Sequence, residues 1–348
     1  MIDIKKHIIH QHQPVSVALQ MMNDLGLDLT LFAINDEEQL IGTLTDGDIR
    51  RGLLNGLGIK EPVFKYIQSH FKFIHHKNYN VHEVTAAKEL GIQILPVLDE
   101  QNKIVKLINF SQHKSYLPLS AAIMAGGEGI RLRPLTENLP KPLLHIGNKP
   151  IMEHGIDWLI KYGIDDFNIS IKYLGDKIIS YFGEGAGKNI SISYIHENDK
   201  LGTIGALSLI KETKYDNILV MNSDLLTNID LEEFYNQHEA KNADMSVACI
   251  PYNVNIPYAI MDTDHENVLG FKEKPSITYQ SNAGIYIIKK EHLKRIPAGK
   301  FFNATDLLED LIIAGKKVIY YPILGYWLDI GKMDDYVKAL EDIKHIKF

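Results

Sequence analysis

The hydrophobic positions of this chain fall into two regimes. From about residue 121 onward, short apolar runs alternate with longer amphipathic stretches. The runs at 121–124, 167–171, 191–195, 218–221, 245–250 and 283–288 read as strands. The stretches at 151–161, 177–182, 204–211, 231–241, 305–314 and 334–344 read as helices. Strands that alternate with helices imply a mostly parallel sheet covered on both faces, with ligands beyond the carboxyl ends of its strands.

The first third is organised differently, as a weak internal repeat. One half reads as a helix at 16–25, a strand at 29–34, an acidic turn at 36–38, a strand at 40–44 and a helix from Asp46. The other reads as a helix at 81–90, a strand at 94–98, a polar turn at 99–102 and a strand at 103–109. Each half is too small to bury a good core alone, so the two are expected to pack together. A short linker at 117–120 then separates domains at 1–60, 61–117 and 118–348.

The strongest chemical signal lies where the second regime begins. The apolar run to Met124 and Ala125 meets a turn with Gly126, Gly127 and Gly129, followed by Arg131 and, in Pro140-Lys141-Pro142, by Lys141. Glycines let the backbone approach an anion and aim N–H groups at it, and Arg and Lys add fixed positive charge. No Gly-Lys-Ser/Thr follows, so this is not a Walker A loop. Pro134 stops the helix that a dinucleotide fingerprint requires.

The segment from Gly126 to Thr136, with Pro140-Lys141-Pro142, resembles the signature of the sugar-phosphate nucleotidyltransferases, roughly G-G-x-G-x-R-L-x-P-L-T and then P-K-P. It departs from that pattern at Ile130. The resemblance implies an α/β fold, a mostly parallel mixed sheet of Rossmann-like, GT-A-like type. It also implies an enzyme that joins a nucleoside monophosphate from an NTP to a sugar 1-phosphate and releases pyrophosphate. Arg131, Lys141, Asp224, Lys274 and Asp329 are its implied catalytic residues, with Asp224 and Asp329 (in Trp327-Leu328-Asp329-Ile330-Gly331) holding Mg²⁺. Such an ion suits one or two carboxylates plus phosphate oxygens. The nucleotide is assigned to Ala125, Gly126, Gly127, Gly129, Glu197, Gly202 and Thr203. The sugar phosphate is assigned to Gly205, Tyr258, Glu273, Asn282 and Gly284, and Ala259 stands where the family has glycine after the tyrosine. Glu197 favours GTP: a carboxylate accepts from both N1–H and the 2-amino group of guanine, whereas thymine or uracil would suit an amide. Thymidylyl or cytidylyl transfer is the runner-up within the class. An inactive nucleotide-sensing scaffold would show damaged acids and cations, and these are present. A glycosyltransferase of similar sheet would want Asp at 222, which is Asn.

The N-terminal repeat is similar to a tandem CBS pair, on the string Gly42-Thr43-Leu44-Thr45-Asp46-Gly47-Asp48. That resemblance implies an α+β pair that binds a regulatory nucleotide through Thr45 and Asp48, and association into a homo-oligomer. The alternative is that both residues cap a helix. The second half lacks the acid, so at most one intact ligand site is expected. His7, His10 and His12 are read as exposed histidines rather than a metal site.

Composition narrows the picture further. The 348 residues carry 37 Lys and Arg against 44 Asp and Glu, a net charge of −7, which gives no reason to expect nucleic-acid binding. The one cysteine, Cys249, rules out an intrachain disulfide and fits a reducing compartment. No apolar leader or membrane-length run is read, so a cytoplasmic protein is expected.

Overall fold

The computed structural model describes residues 3–26, 29–76 and 79–346. Residues 1–2, part of the start read as lacking a leader, and the last two residues of the expected 118–348 domain lie outside the described residues. The chain divides into two compact units, residues 1–117 with 161–163, and 118–160 with 164–348. Among the described residues no helix is long and apolar enough to cross a membrane.

The first unit opens with α1 (Ile4–His7) and β1 (Ile8–His10), then α2 (Val15–Leu25), β2 (Thr30–Ile34), β3 (Leu40–Thr45) and α3 (Asp46–Leu54). A second set follows: β4 (Ile74–His75), α4 (Val81–Glu89), β5 (Ile94–Leu98) and β6 (Ile104–Asn109). The two three-stranded sheets share one topology. In each, a short strand pairs parallel to the next and that strand pairs antiparallel to the third. Phe32 and Leu40 of the first set pack with Ile94, Leu98 and Leu107 of the second, so each half covers apolar surface the other leaves open. His7, expected to be exposed, is buried, and its ring bonds the Thr30 carbonyl at 2.8 Å. His10 does lie nearer the surface, 3.1 Å from Asp36.

The second unit begins with β7 (Leu119–Ala125). The expected linker is therefore absent: Leu117, Leu119 and Ser120 are fully buried, and Ser120 already donates from within the strand to Asp166. Next come β8 (His145–Ile146), β9 (Lys149–Pro150), α5 (Ile151–Lys161), β10 (Asp166–Ile171), α6 (Gly175–Phe182), β11 (Ser191–His196) and β12 (Asn217–Asn222). Then follow β13 (Leu225–Thr227), α7 (Leu231–Ala240), β14 (Met245–Asn255), β15 (Ile260–Asp264), β16 (Asn267–Lys272) and β17 (Ser276–Lys289). The unit closes with α8 (Ala304–Ile313), β18 (Val318–Pro322), β19 (Trp327–Asp329) and α9 (Met333–Asp342).

Seven strands form one sheet in the order β11-β10-β7-β12-β17-β14-β18, and β17 alone runs antiparallel to its neighbours. The chain leaves β7 toward β10 and later returns to β12 on its other side. The carboxyl end of β7 is therefore the place where the strand order reverses, and a crevice opens there.

Three expectations change. The helix expected at 204–211 is a short 3₁₀ turn, Gly205–Leu209. It is closed by i→i+3 bonds such as Leu207 N to Ile204 O at 2.9 Å, and the Ile204 N–H is given to the Phe302 carbonyl. The strand expected at 245–250 runs on to Asn255, well past its apolar run, and its partner begins at Ser276. The clasp of β13 and β19 was not foreseen.

Candidate active site

The cleft at the carboxyl end of β7 has a volume of about 680 Å³, in the range of ligand sites. Its walls come from the loops that leave neighbouring strands. β7 supplies Gly126, Gly127, Gly129 and Arg131; β10 supplies Lys172; β11 supplies Glu197, Gly202 and Thr203; β12 supplies Ser223 and Asp224. Lys141 and Gly331 close it.

The glycine loop is shaped by close approach. A β-carbon on Gly126 would sit 2.6 Å from Glu197 Oε1, so a larger residue would push that carboxylate aside. Gly129 has φ +62, and a β-carbon there would press on Thr136 and Lys141 at 3.0 and 3.1 Å. Thr136 fixes the turn by donating to the Gly129 carbonyl at 2.8 Å. Arg131 then reaches across to Gly331, its guanidinium 3.3 Å from where a β-carbon would stand. The loop and the Trp-Leu-Asp-x-Gly string are thus in contact.

The two distant acids meet. β13 pairs antiparallel with β19, which sets Leu225 opposite Asp329, and Ile330 N donates to the Asp224 carbonyl at 3.1 Å. Leu226, Leu328 and Ile330 are buried in one cluster with Leu132, Leu144 and Ala339, so the clasp is anchored by packing as well as by the ladder. Lys141 Nζ donates to Asp224 Oδ2, while Asp224 Oδ1 is buried with no hydrogen-bond partner among the described residues. Burial pushes the Asp329 carboxyl up, and the nearby Asp224 adds to this, against the pull of Lys141 and Arg131. A buried, unpartnered carboxylate oxygen beside a second acid held unfavourably charged is a fit for a divalent cation. Trp327 Nε1 donates to the Ala283 carbonyl at 2.9 Å and ties the clasp to β17.

Glu197 lines the cleft, its Oε1 accepting from Ser170 Oγ, and the loop after it is bound in place. Phe302 N donates to Leu201 O at 2.9 Å, and Thr203 Oγ1 accepts from Ala304 N at 2.8 Å. Gly205 is buried against the Lys300 carbonyl rather than in the cleft. Gly284 abuts the cleft residue Asn222, and Asn282 Oδ1 turns back to accept from Gly284 N at 2.9 Å. The other acceptor-side residues are elsewhere. Tyr258, Glu273 and Lys274 are exposed on the ribbon formed by β14 to β17, and none lines the cleft. Lys274 sits at φ +41, a strained left-handed position for a residue with a side chain. Sequence reasoning missed Lys172, Ser170 and the Lys200–Glu128 ion pair (3.1 Å) that links two cleft loops. The only signal for them is their position just after, or at the end of, a strand at the carboxyl edge.

Thr45 and Asp48 form a capping box at the start of α3. Burial works against the Asp48 charge, but bonds from Thr45, Gln68 and Arg51 outweigh it and hold the carboxyl below its usual range.

A strand-order crevice with a glycine loop, two cations and a pair of clasped acids defines a nucleotide-handling α/β domain. The family model described as nucleotidyl transferase matches residues 120–345, and the chain belongs to that family. The CBS domain model matches residues 3–55. A D-glycero-alpha-D-manno-heptose 1-phosphate guanylyltransferase of Aneurinibacillus thermoaerophilus is 34% identical, over 65% of this chain and 99% of its own length. A UTP–glucose-1-phosphate uridylyltransferase of Synechocystis is 30% identical, and there the chain spans only 63% of the relative's length. The crystal structure of HddC from Yersinia pseudotuberculosis aligns with a TM-score of 0.51 at 28% identity, over 65% of this chain and 99% of that one.

Proposed function

We propose that this chain transfers a guanylyl group from GTP to a sugar 1-phosphate, a hexose, hexosamine or heptose phosphate, and releases pyrophosphate. The observation that carries this reading is the meeting of Asp224 and Asp329 across the β13–β19 clasp, beside Lys141 and opposite the Arg131 loop. The relatives named as guanylyltransferases support the base, as does Glu197 in the cleft wall.

A sugar 1-phosphate is mostly dianionic at neutral pH, because its second ionisation lies near pH 6. No protein base is needed to make it a nucleophile. One of its oxygens forms a bond to the α-phosphorus of the nucleotide, and the bond to the β-bridging oxygen breaks. The obstacle is the meeting of two polyanions. The N–H groups of the glycine loop and Arg131 hold the β- and γ-phosphates and stabilise the charge that grows on pyrophosphate. Glu197 orients the base, and Lys274 receives the acceptor phosphate. Mg²⁺ at Asp224 and Asp329 would supply further charge neutralisation when bound. Regulation by a nucleotide at the CBS pair, through Thr45 and Asp48, is the finer part of this reading. It requires Asp48 to exchange bonds with Thr45 and Gln68 for ribose hydroxyls. The uridylyl relative supports UTP as the second reading.

The test is pyrophosphate release from four NTPs paired with a panel of sugar 1-phosphates, with products identified by mass. Release with GTP and a hexose, hexosamine or heptose phosphate is expected. Release with UTP alone would replace the guanylyl reading, and no release from any pair would end it.

A further inference from the structure

The end of β10 carries a cation to which the reaction has so far given no task. β7, β10 and β11 are neighbours and parallel, and their register sets Ile171 between Ala125 and His196. The next three residues, Gly126, Lys172 and Glu197, therefore leave the sheet side by side, and all three line the cleft. Glu197 N donates to the Ile171 carbonyl at 2.9 Å, so β10 and β11 are held together up to this rim. Strands stand about 4.8 Å apart, yet the Glu197 carboxylate reaches the place beside Gly126, two strands away. It thus crosses the end of β10, the strand that Lys172 follows. Ser170, which donates to Glu197 Oε1, stands two residues before Lys172, the spacing of one face of a strand.

The other cations of the cleft are engaged. Lys141 bonds Asp224, Lys200 pairs with Glu128, and Arg131 lies close enough to Asp329 to pull on its charge. Lys172 has no hydrogen bond or ion pair among the described residues. It is half-buried. An ammonium that has shed part of its hydration and gained no bond in return suits a group kept for a ligand.

The chemistry of that ligand follows from the two charges in one row. Glu197 presents acceptors and Lys172 presents donors. Ser170 Oγ takes one site on Glu197 Oε1 and Leu201 N, at 3.4 Å, takes one on Oε2, and each oxygen keeps a second lone pair. Guanine offers the complement along one edge: an acceptor at O6, then donors at N1 and at the 2-amino group. Adenine would turn a 6-amino donor toward the ammonium and a bare N1 toward the carboxylate. Uracil and thymine satisfy the lysine through O4 and one acid oxygen through N3–H, but set O2 against the other oxygen. A site built to hydrogen-bond its substrate strongly rejects an analogue that leaves those groups unpaired.

We propose that Lys172 reads the base: its ammonium donates to O6 of guanine while Glu197 accepts from N1 and the 2-amino group, and the two residues together select GTP. This rests on the proposed guanylyl transfer and adds to it the residue that holds the base at its sixth position.

The test compares the wild type with Lys172→Met and Lys172→Arg on GTP, ITP and 6-thio-GTP, read as pyrophosphate release with a sugar 1-phosphate that supports turnover. ITP keeps O6 and lacks the 2-amino group. 6-Thio-GTP keeps both donors and replaces O6 with sulfur, a weak acceptor. Lys172→Met is expected to lower kcat/KM by about 10- to 100-fold for GTP, the worth of a hydrogen bond to a charged donor, and equally for ITP. Its loss on 6-thio-GTP should be much smaller, so the wild type's preference for GTP over 6-thio-GTP should vanish. Lys172→Arg keeps a donor and should retain part of that preference. Equal losses of Lys172→Met on GTP and 6-thio-GTP would move the lysine to the phosphates or to the fold and overturn the assignment, as would no loss on GTP. Either result leaves guanylyl transfer standing, because the wild type still uses GTP. A wild type that releases pyrophosphate from UTP and not from GTP, or from no pair, fails the guanylyl reading itself, and the role of Lys172 falls with it.

Discussion

The two sides of the cleft are built by opposite means. On the side assigned to the nucleotide, most residues come from loops that leave strands of the central sheet or from the clasp, and bonds from Thr136 and Ser170 and the packing of Leu226 with Leu328 hold them. On the acceptor side, Tyr258, Glu273 and Lys274 stand on a bare ribbon with nothing behind them. A side that must stabilise growing charge gains from being fixed in advance, since donors held in place need no reorganisation during reaction. The residues assigned to the acceptor have no such support among the described residues.

That contrast can be broken at several points. The largest effect belongs to the clasp. Asp224→Asn or Asp329→Ala is expected to lower kcat by at least about 10³-fold, the loss seen when a main electrostatic anchor is removed. The melting temperature should stay close to wild type, and normal turnover in Mg²⁺ would show that the acids do not serve the reaction. Arg131→Ala should cost about 10²- to 10³-fold, mostly in kcat, because its charge matters most as pyrophosphate forms. A raised KM for GTP at unchanged kcat would place it in ground-state binding instead. Lys274→Ala should lower kcat/KM for the sugar phosphate by about 10²-fold while leaving GTP affinity, measured by calorimetry, unaltered. Equal losses for both substrates would erase the division into two sides.

A smaller effect tests the root of the ribbon. His238 on α7 bonds Ser246 of β14 at 2.7 Å and Asn217 of β12 at 3.3 Å. Burial, helped by Lys289, pushes its pKa down from 6.5 to about 4. The unfolded chain therefore takes up a proton that the folded chain refuses as pH falls below 6.5. Stability should decline from pH 6.5 toward 4 and the contribution should be fully lost below that. His238→Gln should flatten this part of a melting-temperature profile; an unchanged slope would remove His238 from the account.

Much of the nucleotide side was legible because its chemistry is local. Gly126 to Arg131 acts through neighbouring backbone groups, so the string itself carries the shape. The alternation of apolar runs and helices likewise carried the sheet, since β7, β10 and β12 are buried along nearly their whole length, while β11 at the edge is buried only at Ile192 and Ile195. The clasp was not legible: β13 and β19 have three residues each, too few for any periodicity, and only their pairing shows that Asp224 and Asp329 meet. The string assigned residues to the sugar, but did not say that Tyr258, Glu273 and Lys274 would stand exposed on the ribbon and outside the cleft lining. Past Ile250 the ladder persists through backbone hydrogen bonds that no hydrophobic pattern reports. Thr45 and Asp48 illustrate the reverse case, where one short string fits both a ligand and a helix cap, and the structure uses it as the cap.

The clasp has a consequence for how the protein is made. The glycine loop leaves the ribosome long before Asp329, and β13 has no partner strand until β19 arrives. A nascent or prematurely terminated chain therefore carries the glycine loop while lacking both the second acid and the Leu328, Ile330 and Ala339 packing beneath that loop. On the proposed function, copies that end before β19 lack the second acid and are expected to be inactive.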